Sequence, residues 1–81
     1  MNIATIDKKG FNKKAGYILQ KARKTKNISQ YELSEITGIS RISIAQYELG
    51  NSAVPLAQFI ILCRTIDVDY DALFNSKYIF K

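Results

Sequence analysis

The strongest constraint on this chain is the set of start and stop signals within Ser29 to Gly50, SQYELSEITGISRISIAQYELG. Ser29 and Glu32 have the spacing of a capping box. The serine hydroxyl accepts the amide of the third helical residue, and the glutamate reaches back to the cap amide. A helix begun there, Gln30 to Thr37, runs over Tyr31, Leu33 and Ile36. It has to end at Gly38, the residue type best able to take a positive φ just past a helix terminus. Ser40 then caps a second helix over residues 41–49, which Gly50 and Asn51 stop. The segment specifies two helices of about two turns each, joined by a tight glycine-containing turn, which are the dimensions of a helix-turn-helix.

The flanks read as helices that support this pair. Ala15, Ile18, Leu19 and Ala22 recur at helical spacing, with Lys21 and Lys24 opposite, so a first helix is expected from about Lys13 to Lys26. Asn27 can take the left-handed conformation beyond it. Within the helix over 41–49, Ile44 and Tyr47 face inward with Ile39, leaving Arg41, Ile42, Ala45 and Gln46 outward with Ser43 beside them. Pro55 is expected at the first position of a fourth helix, where its missing amide is harmless. Phe59, Leu62, Cys63 and Ile66 form the core side of that helix. Ile60 and Ile61 cannot share that face, and imply either deep burial or a subunit contact. Asp67, Asp69 and Asp71 mimic the opening of a calcium loop, but Ala72 stands where the loop needs glycine and Tyr78 where it needs glutamate. The better reading is Asp69 as N-cap of a fifth helix, with Leu73 and Phe74 packing back on the core.

At 81 residues there is room for one small domain. A domain of this size buries proportionally little surface, which favours a compact helical core, with dimerisation as one way to complete it. The expected organisation is an N-terminal arm over 1–12, the helical domain over 13–75 and a tail over 76–81. The arm carries Ile3, Ile6 and Phe11 beside turn-prone Gly10 and Asn12; it is either a frayed end or a phosphate-following arm. The tail ends on Tyr78, Ile79 and Phe80, which suit dimer packing or a disordered terminus.

Composition excludes several chemistries. There is no histidine, so neither a Ser-His-Asp triad nor a Cys-His pair can form. One cysteine, Cys63, makes no internal disulfide and no structural zinc site. No glycine-rich phosphate loop is present. An enzyme is not expected, and neither a metal nor a cofactor is implied. No apolar run approaches the roughly 20 residues of a membrane span, and the N-terminus lacks a signal-peptide core, so a cytoplasmic location is expected. Net charge is +5, and Lys8, Lys9, Lys13, Lys14, Lys21, Arg23, Lys24 and Lys26 follow one another without an intervening acid. That run is either a polyanion-facing surface or an ordinary solvated one.

Residues Arg23, Ile28, Ser29, Gln30, Leu33, Gly38, Ile39, Ser40, Ile44, Glu48 and Gly50 resemble the pattern of the lambda-repressor/Cro-like (Xre-type) DNA-binding domains, and the likeness runs from about Ala15 to Phe74. The resemblance implies an all-α, five-helix lambda-repressor-like fold with its helix-turn-helix at helices 2 and 3. It implies that Arg41, Ile42, Ser43, Ala45 and Gln46 occupy base-reading positions. Arginine suits the O6 and N7 acceptors of guanine, glutamine suits adenine, and Ile42 or Ala45 can meet a thymine methyl. Phosphate contacts are implied at Gln30, Ser40, Asn51 and Ser52, with Lys13 and Lys14 from helix one adding charge. An ion pair between Arg23 and Glu48 is implied as well. The chain departs from the pattern in the loop after helix three, which carries no Lys or Arg, and at Ser34, where relatives have a smaller alanine.

The expected function is sequence-specific binding of double-stranded DNA by a transcriptional regulator, repressor or controller in type. A homodimer would read an inverted repeat with half-sites about 34 Å apart, with Ile60, Ile61, Tyr78, Ile79 and Phe80 as candidate dimer contacts. The alternative is a protein–protein interaction module that keeps the fold and uses Ile36, Ile60, Ile61 and the tail against a protein partner. RNA binding fits poorly, because clustered exposed aromatics for base stacking are missing.

Overall fold

A computed structural model describes residues 8–68. These described residues form four helices, α1 (Lys8–Thr25), α2 (Gln30–Thr37), α3 (Arg41–Leu49) and α4 (Leu56–Ile66). The expected fifth helix with its Asp69 cap, the residues Leu73 and Phe74, and the tail contacts Tyr78, Ile79 and Phe80 lie outside the described residues.

The helix boundaries at the centre follow from local chemistry. The Ser29 hydroxyl accepts the Glu32 amide at 3.0 Å, and the Ser29 amide donates to Glu32 Oε1 at 3.0 Å, so the capping box is complete. Gly38 ends α2 at φ 75°, and its amide donates to the Ser34 carbonyl. Ser40 caps α3 by accepting the Ser43 amide at 3.1 Å. Asn27 takes φ 57° after α1, as its short polar side chain permits.

Two boundaries differ from expectation. α1 begins at Lys8, so residues 8–12 of the expected arm are helical despite Gly10 and Asn12. Phe11 packs against the core from this added turn, and that burial outweighs the roughly 1 kcal/mol that a helical glycine costs. Pro55 precedes α4 as its N-cap, in place of being its first residue.

The core is one cluster. Ala15 and Leu19 of α1, Leu33 of α2, Ile44 and Tyr47 of α3, and Phe59, Leu62, Cys63 and Ile66 of α4 are all buried within it. α1 packs chiefly against α3 and also meets α4, and α2 packs against α3 and, less, α4. Truncating a fully buried side chain such as Leu33 to alanine would cost about 2–5 kcal/mol. Ile60 and Ile61 are 41% and 43% exposed, so the core of this chain does not absorb them.

Candidate nucleic-acid interface

One carboxylate ties three helices together. Glu48, near the end of α3, accepts Arg23 Nε at 2.7 Å on Oε2 and Arg23 Nη2 at 2.9 Å on Oε1. Gln30 Nε2, from the start of α2, donates to the same Oε1 at 3.0 Å. The remaining arm of the guanidinium, Nη1, donates to the Ile28 carbonyl at 2.8 Å. The two charged side chains are only 9% and 2% exposed. The hydrogen bond to Glu48 raises the Arg23 pKa above its ordinary value, against the lowering effect of burial. Such a pair adds modest net stability, because desolvation offsets much of the attraction. Its effect is geometric: the end of α3 is fixed to both α1 and α2.

The opposite end of α3 projects. Arg41 and Ile42 occupy its first turn and both are exposed, Ile42 by 76%. Ser43, Ala45 and Gln46 are half-buried, and Ile44 and Tyr47 point inward as their spacing requires. Tyr47 does not leave its hydroxyl unsatisfied, since it donates to Gln58 Oε1 on α4. The first turn of α3 therefore offers a long cation and an aliphatic side chain at the tip of a rigid helix.

Several expected phosphate ligands are engaged within the chain. The Gln30 amide nitrogen is on Glu48. The Ser40 hydroxyl accepts the Ser43 amide and donates to the Ser43 hydroxyl at 2.9 Å. Asn51 Nδ2 donates to Gln46 Oε1 at 3.2 Å, a tether that the residue pattern alone did not reveal. Ser52 is exposed. Lys13 is exposed too, and its backbone lies against Gly50. A Cβ on Gly50 would fall 2.8 Å from Lys13 Cα, so the glycine both takes φ 76° and admits α1. Lys13 is thereby brought beside the loop that carries Asn51 and Ser52. Lys14 instead lines a groove between α1 and the end of α4, with Tyr17, Ile66 and Val68.

The basic run on α1 is unequally used. Arg23 is spent on the interior, and Lys26 pairs with Asp67 at 2.6 Å across the ends of α1 and α4. Lys8, Lys9, Lys13, Lys21 and Lys24 are exposed. No helix among the described residues is long and apolar enough to cross a membrane.

Two capped helices in this relation, with an exposed first turn on the second, define a helix-turn-helix. Residues 16–79 match the family described as the helix-turn-helix domain, and the chain belongs to that family. Over 55 residues, 68% of its length, the chain is 38% identical to antitoxin PezA of Streptococcus pneumoniae, of which the match covers 35%. The chain thus spans about a third of that relative's length. Among solved structures, the restriction-modification controller protein C.AhdI of Aeromonas hydrophila aligns with a TM-score of 0.73 at 28% identity, over 84% of this chain and 99% of that one. An HTH_3 family transcriptional regulator from Vibrio cholerae aligns with a TM-score of 0.73 at 21% identity, covering 88% and 40% respectively. The controller protein C.Esp1396I, solved as a tetramer with its natural 35 base-pair operator, gives 0.68 at 17% identity over 80% and 86%. The likeness to these last two concerns the fold alone.

Proposed function

We propose that this protein is a sequence-specific, double-stranded-DNA-binding transcriptional regulator that reads the major groove with α3, as a homodimer on an inverted repeat. The observation that carries the reading is the asymmetry of α3. Its end is clamped by Arg23 and Gln30 through Glu48, while Arg41 and Ile42 project from its first turn. An isoleucine 76% exposed on a helix whose other face is core costs hydrophobic free energy in water, and a thymine methyl would return it. Arg41 supplies the forked donor for guanine, with Ser43, Ala45 and Gln46 deeper along the same helix. Lys13, with Ser52 in the loop beside it, supplies phosphate contacts, which position the helix without reading sequence. Ile60 and Ile61 supply the dimer contact. The likeness to C.AhdI, a restriction-modification controller protein, supports the regulator class.

A second reading rests on its own observation. The loop after α3 carries no Lys or Arg, and Ile36, Ile60 and Ile61 are exposed apolar side chains. A protein-binding module on this fold would use them. Selection from a random duplex library, with the winners bound at two salt concentrations, separates the two. A DNA regulator enriches an inverted repeat, and its log K falls with log salt by about 0.9 per phosphate contact. No enriched sequence would leave the protein-binding module.

A further inference from the structure

Asn51 and Gln46 are joined twice. Gly50 takes the left-handed conformation that closes α3, so its amide reaches the Tyr47 carbonyl at 3.0 Å and the Asn51 amide reaches the Gln46 carbonyl at 3.0 Å. This is the Schellman pattern, and it folds the residue after the glycine back alongside the helix. The same turn sets the Asn51 side chain beside that of Gln46, where Nδ2 donates to Oε1 at 3.2 Å.

We infer that Asn51 fixes the direction in which the Gln46 amide faces, and with it the donor–acceptor order that α3 presents to one base pair. The inference rests on the DNA-reading function proposed above and names the residue that tunes it. A glutamine amide is nearly symmetric in shape but opposite in chemistry at its two ends: the oxygen accepts and the nitrogen donates. Turning it over exchanges a donor for an acceptor at two neighbouring points in the groove. Adenine offers an acceptor and a donor there, and guanine two acceptors, so the facing decides which base is preferred. A donor from Asn51 holds Oε1 towards the loop and leaves Nε2 on the other side. Asn51 is a positioning residue, acting through Gln46. The backbone at this position is not left-handed, so other side chains fit it without strain.

The test is duplex selection with the wild type and three variants, reading relative base preference at each operator position. Gln46→Ala identifies the base pair that Gln46 reads. Asn51→Ala should narrow the preference at that pair alone, by about two- to tenfold, the worth of one exposed hydrogen bond. Asn51→Asp replaces the donor by a carboxylate that only accepts. It should draw Nε2 towards the loop and change which base is preferred at that pair. The added negative charge lowers affinity for every sequence equally and cancels from the ratio.

Three outcomes overturn the inference while leaving DNA reading intact. In one, Gln46→Ala costs no preference anywhere. In another, Asn51→Ala weakens binding to all sequences with every ratio preserved, the signature of a phosphate ligand. In the third, Asn51→Asp keeps the wild-type base. If the wild type itself enriches no sequence, the DNA-reading function fails, and the role of Asn51 fails with it.

Discussion

Gly16 and Tyr47 meet backbone to backbone. A methyl group on Gly16 would collide with the Tyr47 carbonyl oxygen and lie 2.8 Å from the carbonyl oxygen of Glu48. α1 therefore crosses the last turn of α3 at a distance that only glycine allows, one turn from the Lys13–Gly50 contact. Gly16→Ala should destabilise the protein by up to about 2 kcal/mol, an overpacking cost of about 1–3 kcal/mol less a helix-propensity gain of up to about 1 kcal/mol. Thermal unfolding reads this directly. A variant as stable as the wild type would mean that the two helices separate at little cost.

Breaking the clamp at Glu48 should cost more than its presence contributes. Glu48→Ala leaves a guanidinium buried beside no carboxylate, and an uncompensated buried charge costs about 3–5 kcal/mol. For a domain this small, that is a fall in Tm of at least about 10 °C. Replacing Arg23 by Met and Glu48 by Leu together should regain much of the loss, because neither charge is then stranded. A single variant melting within about 2 °C of wild type would show that the carboxylate holds nothing in place.

The sequence exposed its local features more fully than its tertiary ones. Ser29, Glu32, Gly38 and Ser40 act on backbone within four residues of themselves, so α2 and α3 were legible to the residue. The pairing of Arg23 with Glu48 spans 25 positions, and only the likeness to a known pattern pointed to it. The start of α1 was not legible, because Gly10 and Asn12 carry turn propensity while the burial of Phe11 that overrides them depends on the folded core. At Pro55 the ambiguity was one residue, since proline is tolerated on either side of a helix start. Gly16 is a glycine inside a helical pattern, a known hint of close packing, but the partner carbonyl of Tyr47 exists only once the helices cross. The Asn51–Gln46 tether likewise depends on the turn that Gly50 makes, and asparagine was assigned to phosphate by resemblance alone.

Cys63 gives stability a defined dependence on alkaline pH. Its thiol is 1% exposed, and burial pushes its pKa up from 9.0 to about 11. Below pH 9 the thiol is neutral in both folded and unfolded chains, and its burial contributes fully. As pH rises from 9 towards 11 the unfolded chain ionises first, so the unfolded state gains and stability falls. Denaturant unfolding across that window should show a steeper loss for the wild type than for Cys63→Ala. Equal slopes would mean that the thiol is solvated in the folded protein. The same burial should keep Cys63 unreactive towards thiol reagents until the protein unfolds.

Arg41 and Lys13 should separate reading from holding. Arg41 stands at the projecting end of α3, so Arg41→Ala should cost about 1–3 kcal/mol on the preferred operator and relax preference at one base pair. Lys13 sits beside the Gly50 loop, and the proposed function makes it a phosphate contact. Lys13→Ala should weaken binding to all sequences alike and reduce the steepness of log K against log salt by about 0.9. Titrations of both variants against the selected operator and a scrambled duplex, at several salt concentrations, distinguish the two effects. If Arg41→Ala lowers affinity for both duplexes equally, Arg41 is a phosphate contact, and the reading face of α3 has to be drawn from Ile42 onwards.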